Sequence, residues 1–347
     1  MDMMPTKRFS FERVASISRA LVQLLRRTSM RVTGSLAISA ALLVLALGPI
    51  DIDELSRLLG SASLKWIALA LGFYWLELLL RVQRWSIILR PVRRLPFSHV
   101  ATSLLVGYAA NNVLPARLGE LFRADFVRRR HGISRLSTVG TIVIERLLDM
   151  AAVVACAALG MLYMFHDQVV FDSSLLKAML MGGLIVALTC VFVFLMSAHS
   201  WRWLPQRFPR LRQAIGAITE GFRSVKSSSG VAELTMLTSI VWLCNGCAMW
   251  AILNAVGMSP HGAIVLLLIG MAGLAAAIPS APANLGTLQF AFVTVLSAGS
   301  YAATASFAAA VLVQLVLLGS VTLAGSAIYA AWSLRPGLKG THAVTQR

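Results

Sequence analysis

Charge is the scarcest property of this chain. Only 13% of its residues are Asp, Glu, Lys or Arg, about half the share of a soluble domain, which argues against an ordinary water-facing globule. Acidic residues are scarcer still, 14 against 31 Lys plus Arg. Cysteine is limited to Cys156, Cys190, Cys244 and Cys247, each inside an apolar run. Cys244 and Cys247 have CxxC spacing, but no histidine or second pair accompanies them, so they read as small packing residues, not a redox or zinc motif. The six histidines are scattered, mostly near the ends of apolar runs, and have no ligand spacing. There is no Ser/His/Asp or Cys/His arrangement and no phosphate-cradling glycine loop between a strand and a helix. No metal, no cofactor and no catalysis is expected.

What remains is apolar. Hydrophobic residues make up 58% of the chain, and several runs reach the roughly 17 residues that a helix needs to cross a bilayer. Complete spans are expected at 32–50, 64–89, 137–162, 176–198, 231–254 and 303–332. The fold class is therefore all-α: a polytopic integral membrane protein with about six full spans. The charge of +17 belongs first to cytoplasmic loops and not to nucleic acid. Basic segments fall at 1–31, 90–96, 128–135, 199–226 and 335–347. Residues 1–31 carry an apolar stripe (Val14, Ile17, Leu21, Leu24, Leu25) and read as a basic amphipathic helix on the cytoplasmic leaflet. Residues 199–229 read as an interfacial segment on the same face, and 333–347 as a cytoplasmic tail. The location expected is the bacterial inner (cytoplasmic) membrane, with both termini inside.

The run 98–114 lies between two arginine-rich loops. A single crossing would put one of them outside, and 116–127 is too short and too charged to cross back. A re-entrant hairpin over 98–127 solves this, turning near Pro115–Gly119. Non-helical backbone at such depth needs protein or a wet cavity around it. Proline ends the first limb's hydrogen-bond ladder, and glycine permits the turn. "PARLGELFRA" (115–124) aligns with "PANLGTLQFA" (282–291) at an offset of 167 residues, and the same offset carries 64 to 231 and 137 to 304, both span starts. This predicts a duplication: a first half at 32–162 and a second at 176–332, whose hairpin, 262–299, turns at Pro279–Gly286, with Pro282 and Gln289 as further turn residues. With three full spans per half, the second half inserts inverted, an arrangement known in transporters.

Charges within the membrane are expensive unless paired. Arg117, Glu120 and Arg123 fall on one helical face, and so do Glu145 and Asp149, with Arg146 in reach of Asp149. The two faces are expected to meet. Either they form a structural ion-pair network that pins the hairpin, or they bind a charged headgroup, with Arg123 its contact and Asn112 nearby. The six charges cancel, but the N-terminal ends of both return limbs add positive potential at the hairpin tips.

"NNVLPARLGELFR", "VIERLLD" and "IPSAPANLGTLQF" together resemble the transmembrane region of lysylphosphatidylglycerol synthases, a broad flippase-like family of bacterial and archaeal membrane proteins. The resemblance runs from about residue 35 to 332. It rests on Asn112, Pro115, Arg117, Gly119, Glu120 and Arg123, then on Glu145, Arg146 and Asp149, with Arg81, Arg84 and Trp85 matching an R-x-x-R-W motif. The second hairpin departs from the family's P-G-G-x-G-x-x-E pattern: Ala283 and Asn284 replace the glycines, and Gln289 stands where a carboxylate is expected. Some members accompany hopanoid or glycolipid biosynthesis.

The resemblance implies movement of an anionic or isoprenoid-linked (polyprenyl or hopanoid-type) lipid between leaflets. It does not imply catalysis: the soluble aminoacyl-transfer domain of the synthases is not expected in the 15 residues after the last span. A rival reading is a non-transporting scaffold for a lipid-synthesis enzyme. A lipid-phosphate enzyme using Glu120 or Glu145 as base is disfavoured, since neither has a paired nucleophile.

Overall fold

A computed structural model of the chain describes residues 33–115, 118–166, 228–277 and 280–334. The expected helix in 1–31, Arg117, the span 176–198, nearly all of 199–229, and the tail lie outside those residues. Among the described residues there is no strand. The helices are α1 (Thr33–Leu47), α2 (Ile52–Gly60), α3 (Leu64–Leu89), α4 (Phe97–Val113), α5 (Leu118–His131), α6 (Arg135–His166), α7 (Ser228–Ala255), α8 (Gly262–Ala277), α9 (Thr287–Ala298) and α10 (Ala303–Ser333).

α3, most of α7, and α10 are each long and apolar enough to cross a membrane. The 26 residues of α3 rise about 39 Å, against a hydrocarbon core of about 30 Å. α6 is longer, at 32 residues, but carries Glu145, Arg146 and Asp149 along its length. Leu315 and Leu323 of α10 are 68% and 75% exposed, as expected of a face that acyl chains cover.

The expected span at 32–50 takes a different form. α1 ends at Leu47 and turns through 92° into α2, so α1 itself rises only about 22 Å. The stretch 51–63, which separates the expected spans 32–50 and 64–89, is mostly helix. Asp51 accepts from the backbone N–H groups of Asp53 and Glu54, satisfying donors that a helix start leaves open. Leu55, Leu58 and Leu59 then lay one apolar face of α2 on the core.

Two helical hairpins follow from the turns the sequence marks. α4 and α5 pack on each other, and the base of their hairpin closes: Arg93 Nη1 donates to the carbonyl of His131 at 2.5 Å, and the rings of His99 and His131 stack at 5.0 Å. α8 and α9 pair likewise, and Tyr301 Oη closes that base on the carbonyl of Ser259 at 3.0 Å. The turn between them contains a short 3-10 helix, Pro282–Asn284.

Three helix pairs join residues 33–166 to residues 228–334. α3 lies along α7, α6 along α8, and α10 along α4. Small residues make the last two contacts close, as membrane helices require. A Cβ on Gly270 or Gly273 of α8 would strike Ala157 or Val153 of α6, and one on Gly325 of α10 would strike Leu105 and Ala109 of α4. The end of α4 also packs on the 3-10 turn, so the tips of the two hairpins meet. α10 widens into a π-helical segment, Val313–Leu318, at that level. Asn112 Nδ2 donates to Leu318 O at 3.3 Å and to Thr322 Oγ1 at 2.9 Å, and Gln314 Nε2 donates to Ala283 O at 3.0 Å.

Candidate functional site

The buried charges converge on α6 from two sides. From α3, Arg81 donates through Nε to Glu77 Oε1 at 2.8 Å and through Nη1 to both oxygens of Asp149 at 3.1 and 3.2 Å. One turn on, Arg84 Nη2 donates to Asp149 Oδ1 at 2.8 Å, and its Nη1 to Thr238 Oγ1 of α7 at 3.1 Å. From α5, Arg123 Nη1 donates to Glu145 Oε2 at 3.0 Å. Arg146 Nη2 donates to Glu145 Oε1 at 3.0 Å, and its Nε lies 3.6 Å from Glu120. Tyr108 Oη and Asn245 Nδ2 donate to Glu145 and Glu77. Four guanidinium groups thus face four carboxylates. That balance reduces the large cost of holding single charges away from water.

The network borders a cavity of about 270 Å³. Its walls are built from α3 (Tyr74, Glu77, Arg81), α4 (Tyr108, Asn111, Asn112), α5 (Glu120), α6 (Arg146, Asp149), α7 (Trp242, Asn245) and the second hairpin's tip (Asn284). Among the described residues, the lining holds three carboxylates and two guanidinium groups. Three side-chain atoms of lining residues are buried and make no hydrogen bond: Asn111 Oδ1, which packs against Gly119, Trp242 Nε1, and Arg146 Nε, which lies 3.6 Å from Glu120.

Of the residues singled out in the sequence, Asn112, Glu120, Arg146 and Asp149 line the cavity. Arg123 and Glu145 pair with each other but stand behind the lining. Arg123, 2% exposed, lies flat on the indole of Trp85 at 3.6 Å. Pro115 ends the first limb, and Pro282 opens the 3-10 turn. Gln289 sits away from the cavity. It accepts from Gly286 N–H at 2.8 Å and donates to Gln314 Oε1 at 2.6 Å, so its amide completes the turn.

The two turn glycines have different reasons. Gly286 has φ of +83°, a backbone that favours glycine. Gly119 is helical and instead permits close approach, since a Cβ there would lie 2.2 Å from the backbone nitrogen of Asn111. Asp125 of α5 belongs to the basic rim. It is bridged by Arg129 and Arg135, whose side chains are 66% and 53% exposed. The hydrogen bond from Arg135 and that from Arg129 hold its carboxyl below the usual carboxylate range.

Sequence reasoning left Tyr74, Tyr108, Asn111, Trp242, Asn245 and Asn284 out of the site. The first five are long-range partners with no local pattern, and Asn284 was visible only as a departure from a glycine. Glu77 and Arg81 carried a usable signal, an acid–base pair at i,i+4 inside an apolar run.

Two kinds of comparison bear on this geometry. The family model for the lysylphosphatidylglycerol synthase TM region matches residues 32–325. A UPF0104 membrane protein of Methanocaldococcus jannaschii is 21% identical over 220 residues, covering 63% of this chain and 92% of that protein. A UPF0104 membrane protein of Methanothermobacter thermautotrophicus is 23% identical over 314 residues, covering 84% of this chain and 91% of its own.

Proposed function

This chain belongs to the lysylphosphatidylglycerol synthase TM region family, and from that premise we propose that it moves a lipid between the leaflets of the cytoplasmic membrane. One observation carries the reading: a polar, charge-lined cavity lies where the tips of two hairpins meet, inside an otherwise apolar helical protein. Charged groups at such depth are costly and mark a path for polar cargo.

The cavity's 270 Å³ falls just under the roughly 300–1,000 Å³ of sites that enclose a whole small ligand. It fits a headgroup, with the acyl or isoprenoid chains left in the bilayer. The cargo is then an anionic or isoprenoid-linked lipid, and Arg146, which lines the cavity among Glu120, Glu145 and Asp149, is the guanidinium that meets it. Arg123 acts from behind by holding Glu145.

The reciprocal packing of α3 on α7, α6 on α8 and α10 on α4 supports an inverted repeat with one re-entrant hairpin in each half. Positive-inside bias puts both termini, and the base formed by Arg93 and His131, in the cytoplasm. Alternating exposure of the cavity by movement of one half against the other fits this architecture. The test is purified protein in vesicles containing a headgroup-labelled lipid and an external quencher. Lipid exchange above that of protein-free vesicles supports the reading, and exchange at the protein-free rate for phospholipid and isoprenoid-linked probes alike rejects it.

A further inference from the structure

Resting on that reading, we propose that Glu120 occupies the seat of the cargo's own charge: the headgroup enters as a single negative charge, a lipid phosphodiester, and displaces Glu120 from Arg146.

Exposure separates this pair from the rest of the network. The side chains of Arg146 and Glu120 are 32% and 28% exposed, and both residues line the cavity. Those of Arg81, Arg84, Arg123, Glu77, Glu145 and Asp149 are 9% exposed or less. Contact separates the pair as well. Glu77 and Asp149 each receive a guanidinium hydrogen bond of 2.8 Å, whereas Glu120 stands 3.6 Å from Arg146 Nε, too far for a hydrogen bond. An ion pair that is both open and loose contributes little. Glu120 is therefore the carboxylate that an entering anion can replace. Arg146 keeps capacity for the newcomer, because its hydrogen bond to Glu145 runs from Nη2 and leaves Nη1 for a second acceptor.

Charge narrows the class. Four guanidinium groups balance four carboxylates, Glu120 among them. A monoanion that takes over Glu120's place beside Arg146 leaves that balance unchanged. The displaced carboxylate turns into the cavity it already lines and is hydrated there. A dianion brings a surplus charge toward Glu77 and Asp149, which stay on the wall, and uncompensated charge at such depth is costly. A neutral headgroup gains no ion pair and leaves Glu120 in place. A phosphodiester carries one negative charge, whereas a terminal phosphate carries about 1.5–2 near neutral pH. The two free oxygens of a phosphodiester also suit the guanidinium fork.

The sign of one substitution separates a displaced stand-in from a structural partner. A Glu120 that competes with the cargo weakens binding, so loss of its charge tightens it. A Glu120 that only supports the first turn of α5 or the wall gives the opposite sign or none.

The experiment is lipid-induced thermal stabilisation of the full-length protein in an uncharged detergent at about pH 8, where a terminal phosphate is close to a dianion. The probes share their acyl chains: phosphatidylmethanol, a phosphodiester; phosphatidate, a terminal phosphate; and diacylglycerol, uncharged. Dimethyl phosphate is the soluble counterpart of the first. In wild type, Tm should rise most with phosphatidylmethanol, less with phosphatidate, and not with diacylglycerol or dimethyl phosphate. Glu120→Gln should bind phosphatidylmethanol about fivefold more tightly, the worth of one partly exposed ion pair. Arg146→Gln should lose most of the response. Weaker or unchanged binding by Glu120→Gln overturns the displacement. Should that variant not fold, Glu120→Ser, which also removes the charge, is read in its place. The order of the probes in wild type needs no variant, and greater stabilisation by phosphatidate or diacylglycerol than by phosphatidylmethanol overturns the proposal. A dimethyl phosphate response equal to the lipid's rejects a lipid headgroup as the source. Because binding is read in detergent, failure of transport in vesicles would count against translocation and leave this assignment standing.

Discussion

Arg123 lies flat on Trp85, 3.6 Å from the ring centre, while its Nη1 grips Glu145 at 3.0 Å. The indole thus fixes the guanidinium plane, and the guanidinium fixes the carboxylate that also receives Arg146 and Tyr108. The return limb of the first hairpin is pinned to α3 and α6 through this one side chain.

Arg123→Ala therefore leaves Glu145 short of a partner in a buried setting and should cost about 3–5 kcal/mol. Arg123→Lys keeps the charge but loses the flat stack and the fork, and should cost roughly 1–2 kcal/mol. Unfolding by denaturing detergent, read by tryptophan fluorescence, measures both. Equal stability of Arg123→Ala and wild type would remove the pinning role.

Gly119→Ala and Gly286→Ala should both destabilise, for different reasons. The first forces Asn111 away and so disturbs the cavity wall, while the second meets Ser39 O at 2.1 Å on a left-handed backbone. Gly72→Ala on the exposed face of α3 has open space around the new methyl and should be neutral or stabilising by about 0.5–1 kcal/mol. Comparison of the three melting temperatures checks the contrast, and a harmless Gly119→Ala would contradict the close packing of the hairpin limbs.

Much of the fold was legible because a bilayer leaves few solutions. Runs such as α3 and α10 must be helices, and the arginine-rich loops around 98–127 required both ends of that hairpin to lie together, as Arg93 and His131 do. The 92° bend after α1 was not legible. It depends on Asp51 capping α2 and on Leu55, Leu58 and Leu59 finding a distant core. In the site, grouping of charges foretold that α5 and α6 would meet. It could not foretell that Trp85 would take Arg123 out of the cavity, because that contact joins residues far apart in sequence.

At the hairpin's base, His131 has its pKa pulled down to about 4, first by burial and then by the positive charges of His99, Arg130 and Arg93. An unfolded histidine titrates near 6.5. The unfolded chain therefore binds more protons between these values, and this contribution to stability is complete above about pH 6.5 and is lost as pH falls toward about 4. Tm should drop between pH 7 and 5, and His131→Gln should flatten that part of the profile. An identical pH dependence in the variant would exclude His131 as its source.

A cysteine-free protein carrying a single cysteine at position 94 or position 131 should be labelled by an impermeant thiol reagent from the same, cytoplasmic side. Labelling of the two positions from opposite sides would rule out the re-entrant hairpin and the inverted repeat with it.

The most direct test of lipid passage is to fill the cavity. Ala276 on α8 lines it and takes no part in the ion pairs. Ala276→Trp places a large side chain in the 270 Å³ space without removing a charge. In vesicles with a headgroup-labelled lipid and an external quencher, wild type should exchange lipid faster than protein-free vesicles. Folded, monodisperse Ala276→Trp should fall to the protein-free rate. A filled variant that exchanges lipid as fast per folded molecule as wild type would contradict passage through this cavity.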